Sequence, residues 1–429
     1  MIDTKTRQAT IKRLTGLATL AVVVLVAGCA SYGKLERYEQ QYSGSSEFFT
    51  DRGEPSFLAG DPALYMDGRA WSERALDLIA GANDYILISS FLVTSIPRQE
   101  EIFDALAARR LEGVRVYLIV DSASYYRTYP MVPLAVPAAI PMAKARGIPI
   151  IEYNPIRGSR IFTLLGLLNR DHRKFWVIDG QTVVAGGQNI DYDSLRYPED
   201  EGCIDGMMEF RSAGLSTFLR DSFIRTWNAY SIDRLDPETF LIRDGPTDFP
   251  VTVFDQGLSS QGQVTNMFDG FFTFAKEEVW LVQCYTYLTP SLIDKIRYAV
   301  GRGVKVNFIL SDNHIATRFV QGSFYGMRDL IDAGASIYLY ESPNGSLLHY
   351  KMIMADGLWA SVGSANYNFR SQSTSRELSF LVSDPEPMAI IRSGLDDILT
   401  WCRPVSRDEA SRYRGMSYFL QNLLMQFWG

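Results

Sequence analysis

An α/β fold built as two tandem units, each a largely parallel β-sheet flanked by helices, is predicted by three observations on the 429-residue sequence. Apolar runs of strand length alternate with helical stretches, the pattern of parallel strands joined by covering helices. That order then recurs, so the chain reads as one unit written twice. With 47% hydrophobic and 21% charged residues, the composition is that of a chain with a sizeable core, which sets disorder aside.

The elements follow in order. DYILISSFLV (Asp84–Val93) and EVWLVQCYTYL (Glu278–Leu288) are apolar, β-branched and aromatic runs and read as strands. Each leads into a helix that ends at glycine: EEIFDALAARRLEG (Glu100–Gly113), apolar at Ile102, Phe103, Leu106 and Ala107, and SLIDKIRYAVGRG (Ser291–Gly303). VRVYLIVD (Val114–Asp121) and VKVNFILSD (Val304–Asp312) form the next strand pair, each closing on an aspartate. IPIIEYNP (Ile148–Pro155) and ASIYLYES (Ala335–Ser342) form the third.

The copies differ by an insertion. Asp121 and His172 are 51 residues apart, Asp312 and His349 only 37, and the extra 14 coincide with YPMVPLAVPAAIPMA (Tyr129–Ala143). Its recurring prolines fit neither a helix interior nor a central strand, leaving a lid or lipid-contact loop, or an irregular loop packed on the core. Turn residues in RDGPTDFP (Arg243–Pro250) mark the unit boundary, giving units over 61–247 and 248–405. A linker over 29–60 precedes them and an amphipathic helix over 406–429 follows.

The net charge is −7, but Lys5, Arg7, Lys12 and Arg13 against Asp3 put +3 into the first 28 residues, leaving −10 on the rest. This basic start, the apolar run Leu14–Ala27 and the sequence Val26-Ala27-Gly28-Cys29 have the order of a secretory signal, with an uncleaved anchor as the alternative. The order resembles a bacterial lipobox, which implies a signal over 1–28, a lipidated Cys29 and a membrane-anchored protein of the cell envelope on the periplasmic side. Ala30 and Ser31 after the cysteine match the sorting pattern for the outer membrane. No other run of eighteen apolar residues occurs. Cys203, Cys284 and Cys402 are odd in number and widely spaced, so no disulfide framework or Cys-x-x-Cys site is expected, and Cys284 reads as a buried strand residue.

Chemistry concentrates in DHRKFWVIDGQTVVAGGQN (Asp171–Asn189) and LHYKMIMADGLWASVGSAN (Leu348–Asn366), which hold two of the three histidines. In a strand, His172 and Lys174 point to one face, as do His349 and Lys351. Asp179-Gly180 and Asp356-Gly357 fall between apolar runs, a hairpin signal. Asn189 and Asn366 each lie 17 residues past their histidine, behind Gly186-Gly187 and Gly363-Ser364, small residues that leave room for a ligand. Imidazole, ammonium and amide together offer a nucleophile or acid beside donors for an anionic oxygen. The third histidine, His314, lacks such neighbours and reads as a loop residue.

The frame H-x-K-x₄-D-x₆-G-x₂-N, present twice, resembles the signature of the phospholipase D superfamily. That resemblance implies two phospholipase D-like units sharing one active site at their interface, with a covalent mechanism that needs no metal and no cofactor. One histidine attacks phosphorus and the other protonates the leaving alcohol; His172 is assigned to attack and His349 to acid/base work, an assignment that could be exchanged. Lys174, Lys351, Asn189 and Asn366 would bind the non-bridging oxygens. Each histidine would be oriented by a carboxylate downstream of it. Glu377, 28 residues after His349, fits this in the second copy; in the first, Asp200 has the spacing but lies in a loop-like stretch, and Asp205 is preferred. Asp179 and Asp356 would hold the hairpins through local backbone hydrogen bonds.

The acidic body carries no basic stripe of the kind a nucleic-acid enzyme needs, so no nucleic-acid partner is expected. NRDHRKFWVIDGQTVVAGGQNI (Asn169–Ile190) is most similar to bacterial cardiolipin synthases of this type, implying a monomeric phosphatidyltransferase acting on phospholipid substrates. An exported nuclease, or a phospholipase D that releases phosphatidic acid, is the alternative. Apolar surface at Ile161–Leu168 and on one face of the tail helix (Phe419, Leu420, Leu423, Leu424, Phe427) suits a membrane interface, or, for the tail, docking on the domain.

Overall fold

The structure is a computed structural model that describes residues 31–94, 97–124, 139–155, 169–257, 262–312, 317–342 and 344–428. The first unit contributes β1 (Ser56–Asp67), β2 (Tyr85–Ser90), β3 (Arg115–Asp121), β4 (Ile150–Tyr153), β5 (Phe175–Ile178), β6 (Thr182–Gly186) and β7 (Ile204–Arg211). The second contributes β8 (Phe249–Gln256), β9 (Glu278–Gln283), β10 (Lys305–Ser311), β11 (Ser336–Tyr340), β12 (Met352–Ala355), β13 (Trp359–Gly363), β14 (Glu377–Val382) and β15 (Cys402–Pro404). They form one 15-stranded sheet, β15-β11-β10-β9-β12-β13-β14-β8-β1-β7-β6-β5-β2-β3-β4. Read outward from the antiparallel β1/β8 pair, the two halves have the same strand order, so the sequence repeat is a repeat of topology.

Each half is mixed rather than largely parallel. Only β2-β3-β4, and β9-β10-β11 in the second half, run parallel; the remaining neighbours, including the two strands of each histidine hairpin, are antiparallel. The alternation of strands and helices ends where each hairpin begins, and a hairpin can only return antiparallel.

Strand residues alternate between two buried faces. In β2, Ile86 and Ile88 pack under helices Gly68–Gly81 and Pro97–Leu111, whereas Tyr85 and Leu87 join a core on the other face beneath Ala213–Tyr230. That second core runs through both halves and takes in the helix Pro385–Leu399, which welds the units together. Helix starts follow local sequence: Ser212 accepts the Leu215 amide, and Thr289, followed by Pro290 in the first turn, accepts that of Leu292.

The stretch expected to be a linker over 29–60 is folded from Ser31 onward. Helices Ser31–Gln41 and Ser45–Asp51 bury Leu35, Phe48 and Phe49 against the second unit, and Lys34 pairs at 2.8 Å with the buried Asp269, which also binds Lys295. β1 then begins at Ser56, inside the supposed linker. Residues 1–30 with Cys29, the loops 125–138 and 156–168, and His314 lie outside the described residues. No helix among the described residues is long and apolar enough to cross a membrane. Cys284 is buried one residue past β9, and the described cysteines are free thiols.

Asp179 and Asp356 occupy the hairpin turns at φ 52° and 56°, a left-handed conformation that aspartate tolerates. Their hydrogen bonds are not local. Asp179 accepts from the amides of Asn83, Asp84 and Tyr85 at 2.8–2.9 Å, and Asp356 from those of Lys276, Glu277 and Glu278, so each fastens its hairpin to the start of the neighbouring strand. Asp179→Ala leaves three amides without an acceptor and is expected to cost about 3 kcal/mol. The check is a lower urea midpoint at unchanged slope, with Asp179→Asn intermediate.

Candidate active site

The two histidine stretches meet at the carboxyl ends of β2, β3, β9 and β10. In the first unit the returning hairpin sets Phe175, just past Lys174, opposite Ser89 near the end of β2. One residue before His172, the Asp171 amide donates to Asp121 Oδ2 at 2.7 Å. In the second unit the Leu348 amide donates to Ser311 Oγ at 3.2 Å. Asp121 therefore corresponds to Ser311 and not to Asp312, with which sequence alignment paired it.

Backbone bonds then run crosswise. The His172 amide donates to Arg376 O (3.0 Å) and the Arg376 amide to Arg170 O (2.8 Å). The His349 amide donates to Ile204 O (2.8 Å) and the Ile204 amide to Leu347 O (2.9 Å). Arg376 immediately precedes Glu377, and Ile204 immediately precedes Asp205. The first histidine is thereby registered against the second unit's carboxylate, and the second histidine against the first unit's.

The side chains obey that register. His172 Nδ1 lies 3.0 Å from Glu377 Oε2, and His349 Nδ1 lies 2.6 Å from Asp205 Oδ2. This overturns the pairing of each histidine with a carboxylate of its own copy. Asp200, which has the same spacing from His172 as Glu377 has from His349, sits exposed in a 3₁₀ turn, Pro198–Asp200. The loop before β7 is longer than its counterpart, and this shifts the equivalent position to Asp205.

Glu377 is held from three sides: besides His172, Ser364 Oγ donates at 2.5 Å and Ser371 Oγ at 2.6 Å. Burial works to raise the Glu377 and Asp205 carboxyls, but the neighbouring histidine and lysine, with local hydrogen bonds, outweigh it and hold both below the usual range. Burial pushes His172 down to about 4, aided by Lys174 and Lys351 and opposed by Glu377. It likewise lowers His349, with Lys351 acting in the same sense. Burial lowers Lys174 to about 7. His172 is thus neutral near pH 7, and both imidazoles hold their Nδ1 atoms on carboxylates.

Lys174 donates to His172 O at 2.6 Å, and Lys351 reaches His349 O and lies 3.5 Å from Asp205. Asn189 accepts the Leu92 amide at 3.1 Å on Oδ1, leaving its NH₂ as the donor for an oxyanion. Asn366 Nδ2 lies 3.5 Å from Tyr285 Oη. All eight site residues named from sequence converge. The small residues before the asparagines, read as room for a ligand, have another cause: a Cβ on Gly186 would strike Gly206 O, and one on Gly187 the Asp205 carboxylate.

Several contributors were not foreseen. Phe91 packs edge-on against His172 at 4.7 Å between centroids, with Lys174 Nζ 5.0 Å above its ring. Buried Asp171 bridges Arg173 of its own unit and Arg376 of the other, at 2.8 and 2.9 Å. Ser194 and Ser371 each receive the amide of the asparagine five residues earlier, so the repeated N-x₄-S spacing was a usable signal.

Comparison with known proteins places this site in context. The family model described as "Cardiolipin synthase, PLD-like domain" matches residues 75–227 and 271–398, one segment in each unit. Cardiolipin synthase 1 of Staphylococcus epidermidis is 26% identical over 351 residues, covering 78% of this chain and 66% of the relative. A cardiolipin synthase of Clostridium perfringens is 27% identical over 336 residues, covering 75% and 67%. The chain thus spans about two thirds of the length of these relatives. The crystal structure of phosphatidylserine synthase from Haemophilus influenzae superposes with a TM-score of 0.68 at 15% identity, covering 89% of this chain and 97% of that one, a likeness of fold.

Proposed function

Because the chain belongs to the family of the cardiolipin synthase PLD-like domain, we propose that it is a phospholipid phosphatidyltransferase that works through a phosphohistidine. The observation that carries this reading is the convergence of two histidines, each backed by the other unit's carboxylate, beside two buried lysines. His172 Nε2 attacks the phosphorus of a phosphatidyl donor, forming a P–N bond as the P–O bond to the headgroup breaks. His349, carrying a proton on Nε2, gives it to the departing alkoxide. The hydroxyl of a second lipid, such as phosphatidylglycerol, then loses its proton to His349 and attacks the phosphorus, breaking the P–N bond. Lys174, Lys351, Asn189 and Asn366 hold the non-bridging oxygens, and Glu377 and Asp205 stabilise the imidazolium forms. In this reading Cys29 carries the lipid anchor on the periplasmic side of the envelope. The test is product analysis with the full chain in mixed phosphatidylglycerol vesicles without added metal. Cardiolipin or another transphosphatidylation product supports the transferase, phosphatidic acid alone a hydrolase, and cleavage of DNA with no lipid turnover would sink the proposal.

The proposed roles fix a pH profile. Attack needs neutral His172, so kcat/KM rises as pH climbs through the value near 4; leaving-group protonation needs protonated His349, lowered by burial, so it falls as His349 loses its proton, before Lys174 does near 7. Wild type is expected to give this bell, and Lys174→Arg, whose guanidinium stays charged, to keep the alkaline limb that His349 sets.

A further inference from the structure

The two crossed histidine–carboxylate couples rest on seats of opposite chemistry. In each, the residue ahead of the histidine forms a parallel bridge with the residue ahead of the carboxylate: Asp171 with Arg376, and Leu348 with Ile204. The backbone bonds of the two bridges correspond one for one. Their side chains do not. Beside His349 the seat is apolar, made by Leu348 and Tyr350, both buried, with Ile204 half-buried against the same core.

Beside His172 the seat is ionic. Arg173 grips both oxygens of Asp171, Nε to Oδ1 at 2.8 Å and Nη2 to Oδ2 at 2.9 Å, and Arg376 Nη1 donates to the same Oδ2 at 2.9 Å. Arg376, in the second unit, also donates to Thr226 Oγ1 at 2.7 Å in the first. Arg173, in the first unit, donates to Asp255 Oδ1 at 2.9 Å on β8 in the second. Ser222 Oγ bonds Arg173 and Asp255 at 2.7 and 3.1 Å. Two cations and two anions thus cross the unit boundary in both directions, matched in charge and largely buried.

Such a network is a poor source of stability, since apolar replacements of buried ion pairs are often as stable or more so. The mirror seat shows this within the chain, for the same bridge forms there on Leu348 and Ile204. What ions add is direction. A guanidinium fork fixes angles, and a strand slipped by one residue would turn Glu377 away from His172. We infer that Asp171, Arg173 and Arg376 are positioning residues that lock His172 against Glu377 for attack, a role that presupposes the phosphatidyltransferase reading. The duties of the two histidines differ in the same sense. An attacking nitrogen must lie on the line of the breaking P–O bond, and a misplacement of about 1 Å costs about 10²-fold. His349, which serves first the leaving oxygen and then the acceptor's, works through hydrogen bonds of broader angular range and sits on the seat without the lock.

The test is Asp171→Asn/Arg376→Gln in the full chain, which removes one charge of each sign and leaves Arg173 paired with Asp255. With a p-nitrophenyl phosphodiester, whose leaving group departs unprotonated, the rate constant of the p-nitrophenol burst should fall about 10²-fold. The downfield Nδ1 proton signal of His172 should shift or broaden while that of His349 stays in place, and the urea midpoint should change little. Arg376→Lys alone, which keeps a cation on Asp171, should stay within about tenfold of wild type. A lowered midpoint with the burst and the His172 signal unchanged would make the network merely structural and overturn the inference. Equal movement of both histidine signals, or a loss in Arg376→Lys as deep as in the double variant, would overturn it as well. Should the double variant not fold, Asp171→Asn alone carries the same measurements. A wild type without a burst would remove the enzymatic reading, and the His172 signal would still decide whether the network positions that ring.

Discussion

His172→Ala is expected to lower phosphatidyl transfer by roughly 10⁴-fold or more, because the covalent route loses its nucleophile and its partner cannot replace it. His349→Ala should be as damaging with natural lipids, whose alkoxide leaving groups need a proton. The two separate on a phosphodiester with a p-nitrophenyl leaving group, which departs unprotonated. There His349→Ala should still give a burst of p-nitrophenol and accumulate phosphorylated protein, since the intermediate forms but lacks a base to activate the acceptor. His172→Ala should give neither. A burst in His172→Ala and none in His349→Ala would reverse the assignment while preserving the two-histidine chemistry.

Glu377→Gln should cost about 10²- to 10³-fold, because the amide cannot fix the His172 tautomer or stabilise its cationic form. The crossed geometry makes the consequence specific: Glu377, in the second unit, serves the histidine of the first at 3.0 Å. On the activated substrate Glu377→Gln should therefore suppress the burst, whereas Asp205→Asn should leave the burst and slow the steady state. A purely structural role for either carboxylate would not produce that division. The downfield Nδ1 proton signals give an independent reading, with Glu377→Gln shifting that of His172 and leaving that of His349 in place.

Much of this was legible before any coordinates. The repeated His-x-Lys frame, the Asp-Gly turns and the strand that begins near Asp205 all depend on contacts close in sequence, or on a pattern written twice. What escaped depends on how the copies face each other. Two similar copies cannot reveal whether a carboxylate turns toward its own histidine or across to the other. The answer lies in the backbone bonds at Arg376 and Ile204, which join residues more than 140 apart in the chain. The helices Ser31–Gln41 and Ser45–Asp51 escaped for a related reason: Leu35, Phe48 and Phe49 look like isolated apolar residues until the second unit supplies their core. The antiparallel majority in each half was implicit in the hairpins but hidden by the helix–strand alternation around them.

The crossed carboxylates also set a clock. A ribosome makes the first histidine long before Glu377, which opens the fourteenth of fifteen strands. Until that strand has threaded into place beside β8, His172 has no anionic partner and the growing chain holds no working centre. In the proposed mechanism a product truncated before Glu377 is for the same reason expected to be inert, however well its first half folds. The step that arms the protein in that mechanism is thus the arrival of β14.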